Sequence, residues 1–595
     1  MKKLILIWMM ALLCFSGIGL AYLDSGHISL LTVAESGDNA STERGGVADL
    51  YLAIKPGTGR IFIDSFPISK EDTQITTRFA EEMACDFLDV DCSHYDFFYT
   101  ISAESSIVGG PSAGAAATVL TASMLDNQRL DDKTVMTGTI NSGYLVGPVA
   151  GIEQKTLAAQ NFGFTKVLIP KWDSANQTFN PGLHINVVRV STLEDALYEF
   201  TGKNYSKDVP IDINSDKYTA IMKQVTIDLC SKYGSVDNGV IIMPNLTKIL
   251  NQNIPNITIN ESGNITGDDF FIKAKEAIDN KQYYSAASFC FGGNVVVASQ
   301  LMNNLTGNEL KKDYADLLGK ISVFDQKLDE RADNLSTISE LETYMVVKER
   351  ISEAQDTLSS INPENISSNQ LAYASERFST ANIWSRFFDL PGAKFVMDNN
   401  ALKVVCSKKL SEAEERINYV ELYFPNSVDR SDLNNAYGYY DNKDYALCIF
   451  TASKSKADAD TILSAIFVSN SSISQLIDDK LAAARKVIAR QESTDVFPIL
   501  GYSYYEYSRT LNETSPYSSL VYAEYALELS NLNMYFPKQQ QALFINPGIP
   551  INMPMFFAGF AVGIIFVIII SFIFGKRKVN GEKEKKVKRK NSRKR

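Results

Sequence analysis

The sequence predicts an α+β domain over residues 28–202, a mainly α-helical domain of hairpins or bundled helices over 212–545, and one transmembrane helix near the C-terminus. Three patterns carry that reading. In the first segment, short runs of β-branched and aromatic residues alternate with stretches of helical periodicity. From about Asp212 onward, apolar residues recur at helical spacing with few strand signals. Finally, Met555 to Phe574 is 20 predominantly apolar residues without a charge, followed at once by a basic tail. At 1.5 Å per residue such a run spans roughly 30 Å, the thickness of a bilayer's hydrocarbon core.

Met1 to Ala21 opens on Lys2-Lys3, stays apolar from Leu4 to Leu20 and ends on Gly19-Leu20-Ala21, the pattern of a signal peptide. An uncleaved signal anchor over 1–21 is the competing reading. Ile28 to Ala34 and Val47 to Ile54 read as strands, and the turn Pro56-Gly57-Thr58-Gly59 returns into a strand over Arg60–Asp64, which predicts a hairpin. Thr73 to Leu88 spaces Ile75, Phe79, Met83 and Phe87 as a helix does. Tyr95 to Ile101 is an aromatic-rich strand, after which a loop delivers Ser112 and the alanine-rich helix Ala113–Leu125. Two strands (Thr134–Ile140, Tyr144–Val149), a helix (Ile152–Phe162), two more strands (Lys166–Pro170, Ile185–Val190) and a helix (Leu193–Phe200) complete the domain.

An Asn-rich stretch, 251–267, reads as a linker. Amphipathic helices are predicted over Phe270–Leu301, Glu309–Ser360 (long enough for an antiparallel hairpin), Leu371–Phe388, Leu410–Leu422, Leu433–Ile466, Ile473–Arg490, Ile499–Leu511 and Ser518–Leu532. The string Ala274…Asp279-Asn280-Lys281…Tyr283 returns as Ala436…Asp441-Asn442-Lys443…Tyr445. This spacing resembles tetratricopeptide-type helical hairpins, although no period of about 34 runs through the region. A helical bundle with coincidental spacing reads equally well.

The charge of −11 is unevenly spread: the tail at 576–595 has 12 Lys/Arg against two Glu, Lys2 and Lys3 add two positive charges, and the body between carries −23. So acidic a body argues against a nucleic-acid partner, which needs clustered cations. The basic tail is expected on the cytoplasmic side, giving a single-pass protein of the cell membrane with an extracytoplasmic body. Twelve Asn-x-Ser/Thr sequons and six of the seven cysteines lie in that supposed exterior. Cys85 and Cys92 are near enough to close a small loop; Cys230, Cys290, Cys406 and Cys448 allow bridges or buried thiols alike.

The three histidines (His27, His94, His184) show no metal-ligand spacing, and Cys-x-x-Cys is absent from the sequence. No metal or other cofactor is implied. Nor does a Gly-x-x-x-x-Gly-Lys-Ser/Thr phosphate loop occur, so no ATP use is expected. A serine can still act without histidine where a lysine removes its proton, provided burial brings that amine down from its ordinary ~10.4. Gly109-Gly110-Pro111-Ser112-Ala113-Gly114 and Gly151-Ile152-Glu153-Gln154-Lys155 supply both. Gly110 permits unusual backbone geometry, Pro111 stiffens the approach, and Ala113 and Gly114 leave room for a substrate chain beside the N–H groups of a helix start. Lys155 lies on an apolar, alanine-rich helix, with Glu153 two positions away and so aimed elsewhere. By itself the serine motif is also what an ordinary serine-capped turn looks like.

In order and spacing, Gly110-Pro111-Ser112-Ala113-Gly114, Met136-Thr137-Gly138-Thr139-Ile140, Val149-Ala150-Gly151-Ile152-Glu153-Gln154-Lys155-Thr156-Leu157-Ala158-Ala159 and Val167-Leu168-Ile169-Pro170 together resemble the proteolytic domain of Lon peptidases. The resemblance covers residues 28–202 and implies a Ser112/Lys155 catalytic dyad, with Thr137 placed like the family's threonine that hydrogen-bonds the lysine. Two positions depart from the family pattern: Gly109 stands where aspartate is common, and Thr139 where glutamate is usual. The whole chain looks like the membrane-tethered, ATPase-less Lon-like proteins of archaea. This implies a serine endopeptidase that cleaves unfolded or flexible polypeptides outside the membrane without ATP, and it allows a homo-oligomer. The alternative is a tethered scaffold that keeps the fold, has lost turnover and binds through its helical domain.

Overall fold

The computed structural model describes residues 25–33, 45–66, 70–103, 110–172, 182–205, 212–237, 240–242, 267–468 and 472–539. The predicted leader, the 555–574 segment, the basic tail and Gly109 lie outside the described residues, as does almost all of the Asn-rich stretch.

Among the described residues of the first segment, nine strands form: β1 (Gly26–Val33), β2 (Gly45–Pro56), β3 (Ile61–Phe66), β4 (Tyr95–Ala103), β5 (Thr134–Met136), β6 (Thr139–Ile140), β7 (Val146–Gly147), β8 (Lys166–Pro170) and β9 (Asn186–Val190). Seven of them make one mixed sheet in the order β3-β4-β2-β1-β5-β8-β9. β2 runs antiparallel to both of its neighbours, β4 and β1, whereas β3 is parallel to β4, and β1, β5, β8 and β9 are parallel to one another.

Both faces of this sheet are covered, because successive strand residues point to opposite sides. Leu30, Met136 and Leu168 join one core with the helices Glu71–Leu88, Gly114–Leu125 and Leu193–Thr201. Leu31, Val135, Val167 and Ile169 join a second core with Ile152 and Ala159 of the helix Ile152–Asn161.

The hairpin expected from Arg60–Asp64 does not form. β3 pairs with β4 in parallel, and β4 is inserted between β3 and β2. The turn is spent on β4 instead: Gly57 and Gly59 N–H donate to the carbonyls of His94 and Tyr95, and the Asp96 carboxylate accepts from the N–H groups of Thr58 and Arg60 at 2.7 and 3.0 Å. The predicted strand Thr134–Ile140 is likewise broken. It leaves the sheet after Met136, and Thr139–Ile140 pairs with Val146–Gly147.

Beyond residue 212 the described elements are helical apart from the small ribbon Ser235–Asp237/Val240–Ile242. The two predicted helices that contain the repeated string each prove to be a hairpin, Gly267–Asp279/Tyr283–Met302 and Ser431–Asp441/Tyr445–Phe467. Their turns match. Lys281 and Lys443 adopt φ of +59° and +65°, and the following N–H groups of Gln282 and Asp444 close onto Ala277 and Tyr439 carbonyls at 2.8 and 2.9 Å. Ala274 and Ala436 are fully buried in both. The sequence echo therefore marks two helical hairpins with a shared turn.

Three disulfides form among the described residues, Cys85–Cys92, Cys230–Cys290 and Cys406–Cys448. Of the described helices, Tyr283–Met302 is long and apolar enough to cross a membrane, yet it packs into the helical core through Ala287, Cys290 and Val297. The described residues up to Lys538 pack as one compact unit. Helical segments close onto the sheet domain through Arg490, which donates to Tyr144 Oη and the Asp86 carbonyl at 2.7 Å, and Asn531, which reaches Asp86 Oδ2 at 2.9 Å.

Candidate active site

Ser112 lies in a single 3₁₀ turn, Pro111–Ala113, that leads directly into Gly114–Leu125. Gly110 enters this turn at φ +105°, a region that residues with a Cβ rarely occupy. The turn is held from one side by the chain leaving β5: the Ser112 carbonyl accepts from Gly138 N–H at 3.0 Å and from Thr137 Oγ1 at 3.3 Å, while Ala115 N–H donates to Gly138 O at 3.0 Å. Thr137 is thus in contact with the turn that carries Ser112. A Cβ on Gly138 would stand 2.4 Å from Val146 Cγ1, so glycine lets the chain leaving β5 pass close to β7.

Lys155 is in the first turns of Ile152–Asn161, its N–H bonded to Gly151 O at 2.9 Å. Gly151 caps this helix in the left-handed region (φ +70°), where an added Cβ would meet Val33 Cγ2 at 2.7 Å. The Lys155 residue is only 4% exposed, whereas Glu153 faces solvent, as its offset predicts.

The two helices cover opposite faces of the sheet, but both start beside the same edge. Gly151 abuts Val33, the last residue of β1, and the Ser112 turn bonds to Thr137-Gly138, directly after β5. β1 and β5 are parallel neighbours, so both motifs sit at the same C-terminal edge. Such an edge is where open α/β sheets gather ligands. Ser112 is partly exposed and Lys155 buried, and each lies on an element that starts beside this edge. Gly114 N–H is committed to Pro111 O and Ala115 N–H to Gly138 O. The histidines take no part: His27 pairs with Asp49 at 2.8 Å, and His94 and His184 are exposed.

One contribution was not legible in the sequence. The helix Asn399–Tyr423 of the helical body packs on this rim, and Tyr419 Oη accepts from Ala150 N–H at 3.1 Å. From the helix Glu71–Leu88, Thr76 Oγ1 donates to Glu415 of that same helical-body helix at 3.2 Å, and burial pushes the Glu415 carboxyl up to about 7. Pro111 and Gly114 share a small cavity with Glu412, Glu415 and Lys456. These contacts link residues hundreds of positions apart, and no local pattern announces them.

Residues 68–195 match the family described as the Lon protease (S16) C-terminal proteolytic domain. Both the serine turn and the helix that carries Lys155 fall within that segment. Similar proteins are a Lon protease of Clostridium beijerinckii, 38% identical over 96 residues (16% of this chain, 12% of that protein), and one of the archaeon Methanosphaera stadtmanae, 28% identical over 166 residues (26% and 19%). A peroxisomal Lon protease homolog 2 of Arabidopsis thaliana is 34% identical over 107 residues (16% and 12%). The matches span less than a fifth of those relatives' lengths and about a quarter of this chain or less. In this chain the segment that matches the Lon-type proteolytic domain is joined to a large helical body.

Proposed function

We propose that the protein is a membrane-anchored, ATP-independent serine endopeptidase that cleaves unfolded or flexible polypeptides outside the membrane. The observation that carries this reading is the arrival of Ser112 and the buried Lys155 at one rim from opposite faces of the sheet. In this mechanism the neutral Lys155 amine takes the Ser112 hydroxyl proton as Oγ attacks the substrate carbonyl. Lysine then returns the proton to the leaving amine, and water, deprotonated by the same group, releases the acyl chain. The oxyanion would be held by main-chain N–H groups of the Ser112 turn.

The absence of a phosphate-binding loop from the sequence supports ATP independence. Three disulfides support an oxidising, extracytoplasmic location, and the sequence of 555–574 with its basic tail supports the anchor. The test is hydrolysis of a casein-type unfolded substrate by the full chain in detergent, with and without ATP, beside Ser112→Ala and Lys155→Ala. Expected is ATP-insensitive cleavage that falls at least about 10³-fold in both variants. Equal rates in all three proteins would overturn the dyad and leave a binding scaffold; strict ATP dependence would overturn the motor-free reading.

A further inference from the structure

We propose that Tyr419, supplied by the helical body, is a positioning residue of the peptidase site, tying the turn that carries Ser112 to the loop that opens the Lys155 helix. The inference rests on the Ser112/Lys155 reading above. Tyr419 stands between the two loops. Its Oη accepts from Ala150 N–H at 3.1 Å, one residue before the Gly151 cap, and its Cε2 lies 3.9 Å from where a Cβ on Gly110 would stand. The ring is 5% exposed and packs edge-on against Tyr423, with centroids 5.4 Å apart.

The hydroxyl is the informative part. Packing alone would be served by phenylalanine, whereas a buried phenol is tolerated because it finds a partner. That partner is a main-chain N–H of the lysine loop, just outside the helix. Holding Ala150 fixes where Gly151 turns, and so where the first turn of the helix presents Lys155. The helix that carries Tyr419 is itself held. Glu415 is bonded to Thr76, and Cys406 is bridged to Cys448. The helical body would thereby set the spacing of nucleophile and base, although it contributes no reacting atom.

The experiment is Tyr419→Phe in the full chain, followed by amide hydrogen exchange at Ala150 and by steady-state kinetics on a fluorogenic unfolded polypeptide. Expected are exchange at Ala150 at least about 10-fold faster, kcat lower by about 10- to 100-fold and KM within about twofold. Unchanged exchange at Ala150, unchanged kcat, or a loss expressed in KM alone would overturn the proposal; the last would make Tyr419 a substrate contact. Should Tyr419→Phe fail to fold, Ala150→Pro deletes the same N–H and keeps the phenol, and an unaltered kcat there would also overturn it. A wild-type chain without Ser112-dependent hydrolysis would remove the peptidase reading, while exchange at Ala150 still decides whether the tie exists.

Discussion

Ser142 Oγ donates to Glu528 Oε1 at 3.0 Å, joining the loop between β6 and β7 to the last long helix of the helical body across 386 positions. Glu528 is the hinge of a buried charge cluster. Lys409 and Lys456 each reach both Glu412 and Glu528 at 2.9 to 3.3 Å, and Tyr535 Oη donates to Glu412 at 2.8 Å. Two cations and two carboxylates balance out of water, and the sheet domain caps the set.

Glu528→Ala is expected to cost about 3–5 kcal/mol, because it leaves two buried ammonium groups facing one carboxylate. Burial opposes the Glu528 charge, but Lys456 and Lys409 outweigh it and hold its carboxyl down to about 2. A folded-state value below the ordinary 4.5 stabilises the protein above that pH, and the benefit drains away as pH falls toward 2. Urea midpoints of wild type and Glu528→Ala should therefore differ most near neutrality and converge in acid. A constant difference across that range would show that the cluster does not carry the effect.

Glu81 behaves oppositely. Burial first, and then neighbouring Glu82, push its carboxyl up to about 8, against the pull of Lys408 and Arg78. The folded state thus holds this proton more tightly than the unfolded chain does, and stability falls as pH rises from about 4.5 to 8. Glu81→Gln should flatten this decline and gain a few kcal/mol above pH 8, measured by denaturation at stepped pH. Parallel curves for wild type and variant would refute the assignment.

Gly151→Ala is predicted to damage the site more than the fold. The left-handed cap costs a Cβ-bearing residue about 1–2 kcal/mol, and the contact with Val33 Cγ2 at 2.7 Å adds to it. The start of the Lys155 helix must shift, so hydrolysis should drop by about 10- to 100-fold. Gly163→Ala is the control, since φ there is +85° but no atom lies within 4 Å of the added Cβ. A similar stability loss with full activity is expected of it, and equal activity in both variants would contradict the argument.

Period-two burial along β2, where Ala48, Leu50, Leu52 and Ile54 face the core, was legible as alternation. So was the helix Glu71–Leu88, from Phe79, Met83 and Phe87. Both patterns are local and repeat over several residues. Strand partnership was not legible: the Pro56–Gly59 turn looks like a hairpin loop, but its N–H groups are answered by His94, Tyr95 and Asp96, more than thirty positions on. The helix breaks at Lys281 and Lys443 were missed as boundaries because neither glycine nor proline marks them, yet the repeated Asp-Asn-Lys string had pointed to both.

What the sequence determined alone is the chemistry on offer: a serine behind glycines that admit a strained turn, a lysine on an apolar helix, and no metal-ligand spacing or phosphate loop. Those features depend on residue type and short spacing. Tertiary structure decided that the two helices lie on opposite faces of one sheet and both start beside the C-terminal edge of β1 and β5. It also decided that Tyr419 and Glu415 of a distant helix complete that rim. The reason is physical: a hydrogen bond between residues 269 positions apart, such as Tyr419 with Ala150, has no counterpart in either local sequence and exists only once both cores have closed.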